Sequence, residues 1–474
     1  MDRAALDRRI RRASRIALYG SLAVPALLIA VGALFLSFHS PRRERMEWLN
    51  VDFGSIPEVQ MLQKYLQVDT AQPNADERGG AEFLAGILRE HGIPAEIEIV
   101  GRGHANLIAI LEGQSKEALV LHNHIDTDPV ETPEEWSHGP FSGEIAPPYI
   151  YGRGAYDMKG IAIAQLAALL ELKKSGVTPR RSVIFLATGT EEVGSDLGMK
   201  WILANHPELR ERFWAVLTEG GVVETLNNEE PIYWGIEVAQ KRYVDVMLCS
   251  DSRERLELLR RELYEERRDG NFEVRATEEV IDFLAVYGPT RFRKDFRRWL
   301  GHPEHLRLDA PAFEELPIYL KAMFRDEAVP FPVQEQPGGG FSMLVKLHVL
   351  PGSDVEAVRQ RFLPEWRVAG LDTTLFNERG AGHGSPIDHE VYRATAEQLN
   401  EAYPDVPVGP HFLPRTATDA RFLRAAGIPA YGLSPFIIYT PETSRIGLID
   451  ERLQLPGFLI GVDIYKKLVR RLAG

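Results

Sequence analysis

Cysteine is almost missing from this chain: of 474 residues, Cys249 alone carries a thiol. A single cysteine excludes an intrachain disulfide, a thiolate cluster and any zinc site built on sulfur. It leaves the compartment open, because an exported protein can simply lack disulfides. Long basic blocks are absent beyond the first residues, and the formal charge is −13. Both features argue against a nucleic-acid partner and point to no specific acidic one. Internal repeats and low-complexity tracts are also missing. Histidine has two gaps: none lies between His206 and His302, and none follows His411. What remains is an ordinary globular composition, 44% hydrophobic, long enough for two domains or for one large domain with an insertion.

One long run lacks charge altogether. Ile16 to Phe38 would make a helix roughly 34 Å long, against a hydrocarbon core of about 30 Å. Arg3, Arg8, Arg9, Arg11, Arg12 and Arg15 precede it, and Arg42, Arg43 and Arg45 follow. This bias predicts a single-pass membrane helix with the N-terminus cytoplasmic and the main domain extracytoplasmic. A cleaved signal peptide and a buried core helix are the alternatives. The expected organisation is a basic tail (1–15), the membrane helix (16–38), a linker (39–57), a first catalytic part (58–234), a lid or dimerisation domain (235–380) and a second catalytic part (381–474).

From residue 59 onward, strands alternate with helices. Asn74–His91 reads as an amphipathic helix closed by Gly92, with strands at Ala95–Val100 and Leu107–Leu111. The apolar run Ala118–Leu121 then leads into His122, His124, Asp126 and Asp128. Asp157 opens a long helix rich in Ala and Leu. The strand Ser182–Ala187 leads to Glu191 and Glu192, and Trp214–Leu217 leads to Glu219. Strands alternating with helices imply a doubly wound, mostly parallel sheet, in which ligands bind beyond the carboxyl ends of the strands. The rhythm breaks near Gly235, where an α+β block with a small sheet and an irregular basic stretch (Val286–Arg307) intervenes. It resumes at His389.

Successive strand ends therefore offer His124 with Asp126, Glu191 with Glu192, and Glu219, with Asp157 close behind. One imidazole with several carboxylates suits zinc, or manganese or cobalt. Taken singly, Glu191-Glu192 could be a solvated pair, and Asp157 a carboxylate at a helix N-terminus.

The segments HIDTDPV, WSHGPFSG, YGRGAYDMKG, TGTEEVGS and TEGG, followed by SPIDHEVYRA, TDARFLRAAGIPAYGLSP and DERL, resemble the di-zinc aminoacylase and carboxypeptidase family, the M-20 peptidases. The resemblance runs from about residue 57 to the C-terminus and is greatest to the carboxypeptidase S branch. It implies a doubly wound catalytic domain interrupted by a lid or dimerisation domain. It further implies His124 on the first zinc with Asp126 holding its imidazole, Asp157 bridging two ions and Glu219 completing the first site. Glu192 would bind the second zinc, and Glu191 would be the general base and acid. The implied reaction is hydrolysis of an amide next to a carboxylate, in peptides or N-acyl amino acids.

Two features depart from that pattern. The family's second-site histidine aligns with Gly447, and the lid histidine is replaced within YVDVMLCSDSRERLE. One tightly bound zinc and a weakened second site are expected. His411 reads as a partly buried strand residue or, like His383, as a compensating ligand. Arg415 and Asp419 either hold a substrate carboxylate or cap the next helix. The leading expectation is a membrane-anchored metallohydrolase with Glu191 as general base. The alternative is a family-derived binding or scaffolding protein without activity. Homodimerisation is left open.

Overall fold

The computed structural model describes residues 51–226, 230–268, 274–291, 318–379, 383–437 and 445–474. Phe53 to Gly474 forms one compact unit. Its strands are β1 (Ala95–Ile99), β2 (Ala105–Leu111), β3 (Ser115–His124), β4 (Ile145–Ala146), β5 (Tyr149–Tyr151), β6 (Arg181–Thr188), β7 (Phe213–Thr218), β8 (Val222–Leu226) and β9 (Glu230–Gln240). They continue with β10 (Arg242–Ser250), β11 (Glu327–Pro330), β12 (Gln334–Glu335), β13 (Phe341–Val349), β14 (Asp372–Arg379), β15 (Val408–Leu413), β16 (Ala430–Gly432) and β17 (Arg452–Gln454). The helices that matter below are α1 (Pro57–Leu66), α2 (Glu77–Glu90), α3 (Gly160–Lys174), α4 (Met199–Asn205), α5 (Arg253–Arg268), α6 (Glu278–Arg291), α7 (Glu390–Ala402), α8 (Ala420–Ala425) and α9 (Leu455–Ala473).

A nine-stranded sheet runs β1-β2-β6-β3-β7-β16-β9-β15, with β8 paired to β9. Its centre is parallel: β6, β3, β7 and β16 share one direction. The continuous apolar run in β3 follows from this position. Ala118 to His124 is buried throughout, because a central parallel strand is covered on both faces. On one face Val120, Ile184, Leu186 and Val216 pack with Met199 and Ile202 of α4 and with Phe422 and Leu423 of α8. Inside the other layer, α3 is buried along almost its whole length. Its Gln165 donates to the His122 carbonyl and accepts from Asn123 Nδ2, tying the helix to the strand that carries the site.

The sheet is mixed, not mostly parallel. A short connection joins β1 to β2, so they pair antiparallel, and β2 pairs antiparallel to β6. Strand β9 follows β8 by a short connection, which forces it against β8, and it also runs against β16. The expected break near Gly235 falls inside β9, and the chain leaves the large sheet only at Lys241. It then enters a five-stranded antiparallel sheet, β11-β13-β10-β14 with β12 on β13. Val246, Leu248, Val345 and Leu347 of this sheet pack on Leu256, Leu259 and Leu263 of α5. These apolar positions of α5 recur at intervals of three and four, which gives an otherwise highly charged helix one buried stripe.

The expected membrane placement is corrected. Among the described residues no helix is long and apolar enough to cross a membrane. The most apolar helix, α3, has 15 residues and would reach only about 22 Å. The longest, α9, has 19 residues and carries Asp463, Lys466, Lys467, Arg470 and Arg471. The tail (1–15) and the Ile16–Phe38 stretch lie outside the described residues, as do most of the linker and most of Val286–Arg307.

Where the chain passes between sheets, Lys241 is fully buried. Its Nζ donates to the Arg325 carbonyl at 2.8 Å and lies 3.5 Å from Glu327 Oε2. Arg325 and Arg267 approach the same carboxylate at 2.9 and 3.3 Å, and Arg415 at 3.8 Å. Burial alone would raise the Glu327 carboxyl, but Lys241, Arg325, Arg267 and Arg415 outweigh it and hold the group at about 2. Removing one member of a buried ion pair costs about 3–5 kcal/mol, so Glu327→Gln should destabilise the fold by about that amount near neutral pH. A depressed folded-state carboxyl stabilises fully above its ordinary value of 4.5 and loses that contribution as pH falls toward 2. Urea melts of parent and variant should therefore differ most at pH 7 and converge as pH falls from about 4.5 toward 2.

Candidate metal centre

Strand β3 ends at the centre. His124 is buried, and its Nδ1 donates to the Asp126 backbone carbonyl at 2.8 Å. This fixes the tautomer and leaves Nε2 facing Asp157 Oδ1 at 3.1 Å and Glu219 Oε2 at 3.6 Å. The Asp126 carboxylate does something different from the expected support of the imidazole. Its nearer oxygen lies 3.7 Å from His124 Nδ1. It instead accepts the backbone N–H of Glu191 at 3.0 Å on Oδ1, and that of Glu192 at 3.1 Å on Oδ2, together with Gln72 Nε2 at 2.9 Å. Asp126 is thus the anchor of the Glu191-Glu192 pair.

That pair sits on a tight loop after β6. Thr190 and Ser195 adopt positive φ, and a Cβ on Gly189 would lie 1.9 Å from Glu77 Oε2. The glycine lets the buried Glu77 carboxylate approach and accept the Thr190 N–H at 3.0 Å. Burial and the Asp126 charge raise Glu77 to about 7, with His104 opposing. Asp157 lies in a wide turn, Ala155–Lys159, with non-helical backbone (φ −111°, ψ 94°). The regular helix starts only at Gly160, so Asp157 is not a carboxylate of its first turn. Its turn is held by Glu451, whose Oε1 accepts the N–H groups of Tyr156 and Asp157 at 3.0 and 3.3 Å. Arg153 pairs with Glu451 Oε2 at 2.8 Å. The DERL segment therefore buttresses Asp157 through Glu451.

Among the described residues, two overlapping groups could hold an ion. His124, Glu191 and Glu219 form one; His124, Asp157 and Glu192 form the other, and the ligand atoms within each lie within 4.8 Å of one another. The electrostatics suit a cation. Burial followed by the Asp157 charge pushes both Glu192 and Glu219 well above the usual carboxylate range. Burial would depress His124, yet Glu219 and Asp157 lift it well above its ordinary value. Protons are drawn to the place where a divalent ion would be drawn, and the mixed imidazole–carboxylate donor set fits one. Glu191 is raised to about 7, by burial first, with Arg421 opposing and Asp419 reinforcing. Arg421 Nη1 donates to Glu191 Oε1 at 3.1 Å.

The remaining candidates fall elsewhere. Asp419 does not cap α8; it accepts from Ser195 Oγ and lies 3.6 Å from His122 Nε2. His122 is held neutral by burial and the His124 charge, at about 3, between Thr218 and Thr188. His411 is buried on β15 edge-on to Phe283 at 5.4 Å, held at about 3 by burial, and belongs to neither metal-competent group. His383 is exposed, and its Nδ1 donates to the neighbouring Gly384 carbonyl at 3.2 Å. Arg415 turns toward Glu327, and its Nε and Nη2 are buried without hydrogen-bond partners. Gly447 has φ +72°, and a Cβ there would lie 2.2 Å from Asp128 Oδ2.

Sequence reasoning gave no role to Arg421, Arg153, Glu451 or Asp128, although each lies inside one of the segments that carry the family resemblance.

Residues 120–471 match peptidase family M20/M25/M40. The chain belongs to this family. Aminoacylase-1A of Rattus norvegicus is 26% identical over 437 residues, covering 88% of this chain and 95% of the relative. Among solved structures, the M20 family metallo-carboxypeptidase Sso-CP2 from Sulfolobus solfataricus superposes with a TM-score of 0.62 at 19% identity, covering 88% of this chain and 99% of that one. Human carnosine dipeptidase 1 gives 0.61 at 14%, covering 89% and 97%. At these identities the structural likeness speaks for the fold. Enzymes of the M20 family are metal-dependent, usually with zinc.

Asp126→Asn tests the anchor. Three N–H donors converge on this carboxylate, and an amide offers one oxygen where two are used. Loss of a group that orients metal ligands costs about 10- to 100-fold in affinity. Chelator competition should reveal that loss in a variant whose circular dichroism matches the parent.

Proposed function

We propose that this M20 protein is a metal-dependent hydrolase of amide bonds in peptides or N-acyl amino acids. The observation that carries the reading is the convergence of His124, Asp157, Glu191, Glu192 and Glu219 from four separate strand or helix ends. In this reading His124, Asp157 and Glu219 hold a zinc ion, and Asp157 and Glu192 face a second position. The ions, when bound, supply Lewis-acid polarisation of the scissile carbonyl and of the attacking water.

The chain's own groups do the rest. Glu191 is tied through Oε1 to Arg421, so its other carboxylate oxygen is the one that takes the proton from the attacking water. The C–N bond breaks as that proton passes to the leaving nitrogen, giving a carboxylate and an amine. Asp126 holds the backbone of Glu191 and so fixes the base relative to His124. Arg415, whose buried Nε makes no hydrogen bond among the described residues and whose Nη2 lies 3.8 Å from Glu327, is the cation we assign to the substrate carboxylate. No contact in the centre favours the binding-protein alternative, since the base and the ligands around His124 lie together.

The test is elemental analysis of the full chain beside hydrolysis of a panel of dipeptides and N-acyl amino acids. The parent should hold zinc and hydrolyse part of the panel, and His124→Ala should lose both. Glu191→Gln should keep its metal and lose about 10²- to 10⁴-fold in rate, the usual worth of a positioned general base. A fully metallated parent that hydrolyses no panel member would overturn the reading.

A further inference from the structure

Two partners compete for the Glu191 carboxylate. It belongs to a metal-competent group with His124 and Glu219, yet Arg421 Nη1 holds its Oε1 at 3.1 Å. A glutamate that turns onto an ion no longer takes a proton from water, so what holds Glu191 off the ion decides its role. Arg421 can do so only if α8 keeps a fixed place relative to the loop after β6.

That place is set two residues before Arg421. Ser195 closes the loop at φ +63°. Its N–H donates to Thr190 O at 2.5 Å, and its carbonyl accepts from the N–H groups of Gly198 and Lys200 at 3.2 Å each. Its hydroxyl donates to Asp419 Oδ1. Asp419 is fully buried, and the residue before it is tied to β9, because Thr418 N donates to Gln240 Oε1 at 2.9 Å. Arg421 rests on its neighbour, with Cζ 4.5 Å from the Phe422 ring centroid. Glu191 to Ser195 and Asp419 to Arg421 thus close a ring through two contacts, Ser195 with Asp419 and Arg421 with Glu191. Asp419 Oδ2 is buried without a hydrogen bond, 3.6 Å from His122 Nε2. That is a destabilising state for a carboxylate oxygen, and packing alone does not explain it.

We propose that Asp419 is a positioning residue for the base: through Ser195 it holds α8 against the Glu191 loop, so that Arg421 keeps Glu191 a base and off the ion. This rests on the hydrolase reading of the same centre. Asp419 acts on the reaction through Arg421 and Glu191, and its part in the ring is that of a hydrogen-bond acceptor.

The experiment breaks the ring from either side of one bond, with Ser195→Ala and Asp419→Ala in the full chain, each alone and combined with Glu191→Gln. Zinc-loaded protein is assayed on a dipeptide or N-acyl amino acid that the parent hydrolyses, and cobalt-loaded protein is followed by its visible absorption. Each single variant should keep its metal and lose about 10- to 100-fold in kcat with KM near the parent's, the scale of misplacing a reacting group by about 1 Å. Its cobalt bands should change, because a carboxylate that turns onto the ion alters the ligand field. Asp419→Asn, whose amide oxygen can still accept from Ser195, should recover most of the rate. With Glu191→Gln in place, Ser195→Ala and Asp419→Ala should cost no more than about twofold further and leave the cobalt bands as Glu191→Gln sets them. Single variants with the parent's kcat and bands, losses that multiply with that of Glu191→Gln, or an Asp419→Asn as slow as Asp419→Ala would each overturn this inference alone. A metal-loaded parent that hydrolyses nothing overturns the hydrolase reading and this inference with it.

Discussion

Five carboxylates gathered around one buried imidazole repel one another, and that repulsion is the constraint to which the rest of the fold answers. Asp128, Asp157, Glu191, Glu192 and Glu219 cannot all stay charged in a site screened from water without cations among them. The chain supplies some of that charge itself. Arg421 reaches Glu191, and Arg153 reaches Glu451 and faces Asp128. Asp126 spends both oxygens on backbone N–H groups and Gln72 and so adds order around the cluster. The remaining excess of negative charge is what makes the centre a cation site in physical terms.

The second sheet is joined to this centre by another buried electrostatic knot. Lys241 marks the residue at which the chain leaves the large sheet, and Glu327 draws four cations to that point. The knot fixes the start of β10 against the start of β11 just where the two sheets meet. Arg415 belongs to the same knot and comes from the strand-to-helix connection that also carries Asp419 and leads into α8 with its Arg421. One short connection thus touches both the inserted sheet and the catalytic pair.

Much of the centre was legible because strands advertise their ends. The apolar run before His124, and the corresponding runs before Glu191 and Glu219, need only the rule that parallel strands deliver side chains to one edge of a sheet. What could not be read were relations across long stretches of chain. Gly447 signalled a missing histidine, but its positive φ and its contact with Asp128 depend on a fold that brings residues 128 and 447 together. Asp126 was expected to support His124. The actual partners, the amides of Glu191 and Glu192, leave no trace in residue type, because every residue but proline has such an amide. The parallel centre of the sheet followed from the alternation of strands and helices. Its antiparallel members, β2, β9 and β15, depend on which neighbours the strands choose. The charge-free run at 16–38 is a hydropathy signal alone, and no described helix shares its character.

The reach of Glu451 has a consequence for how the chain comes off the ribosome. The turn carrying Asp157 is clasped by a residue nearly three hundred positions later, and the base Glu191 by Arg421, more than two hundred positions later. Strand β3 and its imidazole emerge well before the clasps that order the acidic residues around it. A nascent or truncated chain ending before residue 421 would expose the crowded carboxylates without their supports. Completion of the centre thus waits for residue 451, and cation uptake reports that the chain has been made and folded at least that far.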